Sequence, residues 1–207
     1  TGASGSNYEW FTRILGGEAK KEAQERGVSY YDVLDELIGM VPIEKARVFF
    51  SPFIAQPSIH VNAKANFFNI EMNTSYADLC YSVAEGVAFI HKYHVDFLKN
   101  AGLPLRTIRL TGGIARSRVW NQIFANVLQV PIIGVDCEET GALGVAIAAG
   151  IGAGVYNDYE EAFTKAVKTK EPVLPDKNTF SIYEKRYKEW CLINEVMKQY
   201  WDRKKDL

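Results

Sequence analysis

The stretch from residue 105 to residue 152 constrains this chain more than any other part, because its hydrophobic period switches repeatedly. Residues 105–110 and 131–135 read as short strands, and residues 117–128 and 139–152 read as helices. Strand and helix alternate, which is the signature of an α/β layer. At the first corner stands Thr111-Gly112-Gly113-Ile114-Ala115-Arg116-Ser117. Two consecutive glycines carry no Cβ, so a planar ligand can come close to the backbone there. The helix that follows offers unpaired N–H groups and the positive end of its dipole. Such a corner suits a nucleotide, and a tight structural turn alone also accounts for it. A second small-residue corner, Glu138-Glu139-Thr140-Gly141-Ala142-Leu143-Gly144, opens the next helix, where close helix packing is the plainer explanation.

The remaining pattern fills out one α/β domain. Residues 7–26 read as a helix stopped by Gly27, and residues 30–38 as a second one closed by Gly39. Residues 47–50 and 65–70 are strand candidates, separated by a proline-containing loop. A long helix is expected from Ser75 to Asn100, opened by the Ser75-x-x-Asp78 capping pattern. Residues 159–167 and 178–204 complete the set as helices, with a short extended piece at Val173-Leu174.

With 47% apolar and 24% charged residues among 207, the chain is ordinary for a globular domain with a sizeable core. Its formal net charge of −1 gives no electrostatic reason to expect nucleic acid or an anionic membrane as partner. The tail from Lys165 carries a local net charge of +4, which a solvated helical face accommodates. Cys80, Cys137 and Cys191 are widely spaced and make no Cys-x-x-Cys pair, so reduced thiols and a cytoplasmic setting are expected. Cys80 reads as core filler. His91 and His94 lie three apart without a metal-binding motif around them, and no metal site is expected. No apolar run is long enough to cross a bilayer. The Thr1-Gly2 start is what a piece of a longer protein would show.

The two corners, together with Ala65-Asn66-Phe67-Phe68-Asn69-Ile70 and Asp78-Leu79-Cys80-Tyr81-Ser82-Val83-Ala84-Glu85-Gly86-Val87, resemble the C-terminal domain of the FGGY carbohydrate kinases. Gln122-Ile123-Phe124-Ala125-Asn126-Val127-Leu128 and Val130-Pro131-Ile132 follow in the family's order. The likeness is densest over residues 65–154, and Thr-Gly-Gly-x-Ala-Arg-Ser-x-Val-Trp with Glu-Glu-Thr-Gly is most similar to the xylulose and L-xylulose kinases. It implies an actin-like ATPase (ribonuclease H-like) domain, a mixed sheet flanked by helices with a long C-terminal helix. Residues 1–207 would be the nucleotide-binding half of an ATP-dependent ketopentose kinase. Adenosine contact is carried onto Gly112, Gly113 and Ser117, with Ile114 packing on the base and Asn121 as a neighbour one turn on. Ser117 is equally suited to cap the helix that follows, and both roles can coexist.

The same resemblance implies ATP/ADP with Mg2+ as cofactor and an N-terminal kinase domain and sugar as partners, and it leaves homodimerisation open. No Asp-x-Gly-Thr-like phosphate loop occurs in this sequence, so the chain alone is expected to be inactive. The helix after the second corner would line the nucleotide cleft. Glu139 would favour its dipole, and Glu85 reads as a solvated or ion-paired carboxylate rather than a base. Three departures stand out: Asn69 where the family has glycine, Ala84 where it has a bulkier residue, and Asn126 where it has Asp. A non-catalytic nucleotide sensor and a purely structural interaction domain remain alternatives.

Overall fold

A computed structural model describes residues 4–55, 57–137 and 139–204. Residues 1–3 and Glu138, on which the Thr1-Gly2 start and the first residue of the Glu-Glu-Thr-Gly run fall, lie outside the described residues. The axis of the fold is a long helix, α4 (Tyr76–Asn100), preceded by α1 (Ser4–Leu15), α2 (Gly17–Arg26) and α3 (Tyr30–Gly39). Ser75 caps α4 as expected: its side chain accepts from the Asp78 N–H at 3.2 Å and Asp78 reciprocates to the Ser75 N–H at 2.9 Å. Every residue from Cys80 to Ile90 is buried, so this helix is covered all round by α1, α3, the helix over residues 118–128 and a strand.

The expected helix over residues 7–26 is in fact two helices. The Tyr30 hydroxyl donates to the Thr12 carbonyl at 3.2 Å, and Gly16 N–H donates to the same oxygen. A Cβ on Gly16 would overlap the Tyr30 hydroxyl, and the chain turns at this point. Gly27 closes α2 in a left-handed conformation, as the sequence indicates.

The strands are shorter than their sequence patterns. β1 (Phe49–Ser51) pairs antiparallel with β2 (Asn66–Phe68), and β3 (Ile108–Leu110) pairs parallel with β4 (Ile132–Gly134). On the far side of β4, Val173 forms an antiparallel bridge with Ile132, which makes that layer mixed. The helices α5 (Arg118–Leu128), α6 (Thr140–Gly152), α7 (Tyr159–Ala166) and α8 (Phe180–Arg203) complete the order. Asn69, where the family has glycine, adopts φ 60°. Glycine visits that region freely, and asparagine is among the few other residues that tolerate it, so this departure keeps the turn. Asn126 is buried and its side-chain oxygen accepts from Gln122 Nε2 and the Asp176 N–H, tying α5 to the approach of α8.

Helix α8 seals the open edge of β1. Arg186 donates to the carbonyls of Ala46 (2.6 Å) and Val48 (3.2 Å), and the Trp190 indole N–H donates to that of Phe50 (2.9 Å). Alternate residues of an extended chain present their carbonyls to one side, so α8 reads the 46, 48, 50 series. The same guanidinium holds the Glu85 carboxylate through Nε and Nη2, each at 2.6 Å. Burial pushes the Glu85 pKa up, and Arg186 pulls it back. Glu85 is thus a structural ion pair in the core.

Helix α6 is the exception to this packing. Its sequence is almost wholly apolar, yet none of its residues is buried, and Val145 is 71% exposed. A Cβ at Gly141 or Gly144 would meet nothing within 4 Å, so the close packing expected of these small residues is not realised among the described residues. Among the described residues no helix is long and apolar enough to cross a membrane.

Arg186→Ala would leave Glu85 charged and unpaired in the core. Urea unfolding is expected to show a loss of about 3–5 kcal/mol.

Candidate nucleotide cleft

The corner after β3 is built by one unusual glycine. Gly112 has φ 87° and ψ −174°, and the next residues, Gly113–Arg116, form a 3-10 turn. Ala115 N–H closes the turn on the Gly112 carbonyl at 3.1 Å, and Ser117 N–H on that of Ile114 at 3.2 Å. Ser117 then leaves the helical region and caps α5, its hydroxyl oxygen accepting from the Trp120 N–H at 3.1 Å. A Cβ at Gly112 or Gly113 would meet no other atom within 4 Å, so the two glycines face open space.

That space is a cleft of about 940 Å3. Gly112, Gly113, Ile114 and Ser117 all line it, with Arg109 and Arg116 beside them. Asn121 does not. It is buried under the corner, and its amide donates to the Ala115 carbonyl at 3.0 Å, bracing the turn from behind. No residue of α6 lines the cleft, contrary to the expectation from the second corner.

The opposite wall was not legible in the sequence. Tyr8 and Glu9 of α1, Tyr31, Asp32 and Asp35 of α3, and His91 of α4 all border the cleft. Residues 31, 32 and 35 share one face of α3, a helical spacing visible in the sequence, but nothing there tells which element that face meets. The floor is aromatic: the Tyr8 ring meets the Trp120 ring edge-on, with centroids 4.8 Å apart. Trp120 is 1% exposed, and its indole N–H and the Tyr8 hydroxyl are both buried in this floor.

The charged groups of the wall respond to their surroundings. Burial raises the pKa of Asp35, and the neighbouring Ser117 hydroxyl acts against that rise. Burial lowers the His91 pKa to about 4. Its Nε2 lies 2.7 Å from the Ser4 hydroxyl and its ring packs against Phe124. Cys80, buried behind this wall, has its thiol pushed up to about 12 by burial, which makes it inert core filler. Among the described residues no group of three or more His, Cys, Asp or Glu could hold a metal ion.

The helices around small sheets and the backbone-lined cleft at the end of a parallel strand belong to an actin-like ATPase fold, as the likeness to solved sugar kinases shows. Residues 3–153 match the model of the FGGY family of carbohydrate kinases, C-terminal domain, and the chain belongs to that family. It is 30% identical to the L-xylulose/3-keto-L-gulonate kinase of Escherichia coli (strain K12), an alignment covering 90% of this chain and 35% of that protein. An autoinducer-2 kinase of Enterobacter sp. (strain 638) is 27% identical over 90% of the chain and 36% of its own length. The crystal structure of xylulose kinase from Rhodospirillum rubrum superposes with a TM-score of 0.80 at 27% identity, covering 96% of this chain and 39% of that one. The chain therefore spans little more than a third of the length of these relatives.

Two outcomes follow from this geometry. Gly112→Ala forces a side chain into a region almost reserved for glycine and is expected to cost about 1–3 kcal/mol in urea unfolding, whereas Gly113→Ala stays near the parent. For His91, the unfolded imidazole titrates near 6.5 and the folded one near 4, so the unfolded chain binds more protons between those values. Stability is then lost as pH falls through that window, by on the order of 3 kcal/mol, and His91→Gln should flatten this limb of a pH-dependent unfolding series.

Proposed function

We propose that this chain is the nucleotide-binding half of an ATP-dependent carbohydrate kinase, one that transfers the γ-phosphoryl group to a hydroxyl of a ketopentose such as xylulose or L-xylulose. The observation that carries the reading is the cleft itself, lined by Gly112 and Gly113 with no Cβ over the backbone. Its volume of about 940 Å3 is ample for a nucleoside diphosphate. Gly112 and Gly113 would lie against adenosine, Ile114 against the base face, and Ser117 at the base edge. Asn121 supports the corner rather than the ligand. Mg2+ would enter with the phosphates, since the described residues offer no cluster to hold it. The ketopentose assignment draws on the L-xylulose and xylulose kinases among the relatives.

The whole chain, residues 1–207, would act as the C-terminal domain, with an N-terminal domain of the intact enzyme as its partner. The phosphate loop, the base and most sugar contacts would come from that domain. Closure of the two halves would exclude water from the transfer, and the isolated half would be inactive. Three free thiols suit a reducing compartment, and we assign the protein to the cytoplasm.

Calorimetric titration with Mg·ADP tests the reading. Gly113 faces the cleft with open space around it, so Gly113→Val should fold normally and place its side chain where the adenosine would lie. ADP affinity is expected to fall by about tenfold or more. Equal affinity for both proteins would remove the corner from the binding site.

A further inference from the structure

We propose that the outward face of α8 is a dimerisation surface for a second copy of this chain, with the two α8 helices antiparallel about a two-fold axis at Val196. The proposal does not depend on the nucleotide reading. Helix α8 is apolar on two sides. On its inward side, Trp190 and Trp201 are buried in the core. On its outward side, Leu192, Val196 and Tyr200 follow one another at four-residue steps, and each is more than half exposed. Residues four apart are neighbours on a helix surface, so these side chains form one continuous stripe. A scattered exposed apolar residue needs no partner to explain it, whereas a stripe on a helix already anchored by its other side does.

Charge decides what covers the stripe. Glu189 stands seven residues before Val196, and Arg203 stands seven residues after it. A seven-residue step falls within about 20° of two full turns, so both charges share the face of the stripe. They lie about 10 Å to either side of its centre. Both are exposed, and neither forms an ion pair among the described residues. An antiparallel two-fold at Val196 sets each residue opposite the one equally far on the other side. Glu189 then meets Arg203 of the second copy, twice over, while Leu192 packs near Tyr200 and Val196 meets its own image. A two-fold interface requires this kind of self-complementarity. A parallel pair in register would set Glu189 on Glu189 and Arg203 on Arg203, so the charges select the antiparallel arrangement. Helix α6, also exposed and apolar, carries no charge and specifies neither orientation nor register.

The test is sedimentation velocity of the 207-residue chain over a concentration series across the micromolar range. The unmodified chain should show a reversible monomer–dimer equilibrium. Glu189→Arg and Arg203→Glu each set two pairs of like charges against one another and should raise the dimer Kd by about tenfold or more. An equimolar mixture of the two variants should regain the parent Kd, because a mixed dimer has opposite charges facing at both ends. Both positions are exposed, so the variants should fold, which circular dichroism checks. A chain that stays monomeric throughout the series overturns the proposal. A dimer that both variants leave unchanged overturns it too and moves the contact to another face. Weakening by each variant without recovery in the mixture overturns the antiparallel arrangement.

Discussion

One guanidinium holds the two halves of the core in register. Arg186 sits on α8, ion-paired to Glu85 on α4, and its remaining donors go to the main-chain oxygens of Ala46 and Val48. Three elements far apart in sequence are joined at a single side chain. The pairing is costly to bury and costly to break, so its value is positional as much as energetic. Once α4 is fixed against the 46–50 segment, α3 and α5 have a common support, and the cleft is the gap left between them.

The corner at 111–117 shows how one short segment can build the fold and line a cleft together. Gly112 turns the chain with a torsion almost no other residue adopts, and this exposes the backbone of Gly113. Ser117 stops the 3-10 turn, starts α5 and stays on the cleft wall. Asn121 and Trp120 brace the turn from the buried side. The choice between a cap and a ligand contact for Ser117 is therefore a false one on geometric grounds: the cap uses one acceptor site of a group that has more to offer.

Much of this was legible because it is local. The Ser75-x-x-Asp78 box, the left-handed Gly27 stop and the order of strands and helices after residue 105 depend on neighbours in sequence. The split between α1 and α2 was not, because it depends on Tyr30 folding back onto Thr12. The near wall of the cleft was readable from its glycines, whereas Tyr31, Asp35 and His91 belong to the site only through packing of α3 and α4. Glu85 carried the right two options, solvent or ion pair, and only the arrival of α8 decides between them. Family resemblance supplied the adenosine assignment, which spacing alone could not distinguish from a tight turn.

Helix α6 has a consequence for how such a chain is made. It is the most apolar helix of the fold and the least covered. Tyr183, Trp190 and Trp201 of the core lie on α8, which follows α6, so a nascent chain carries α6 before its core can close. An apolar segment that the core does not cover stays in water meanwhile, where encounter with another nascent chain competes with any proper docking. For a chain of this order the hazardous interval of biogenesis runs from the synthesis of α6 to the arrival of α8.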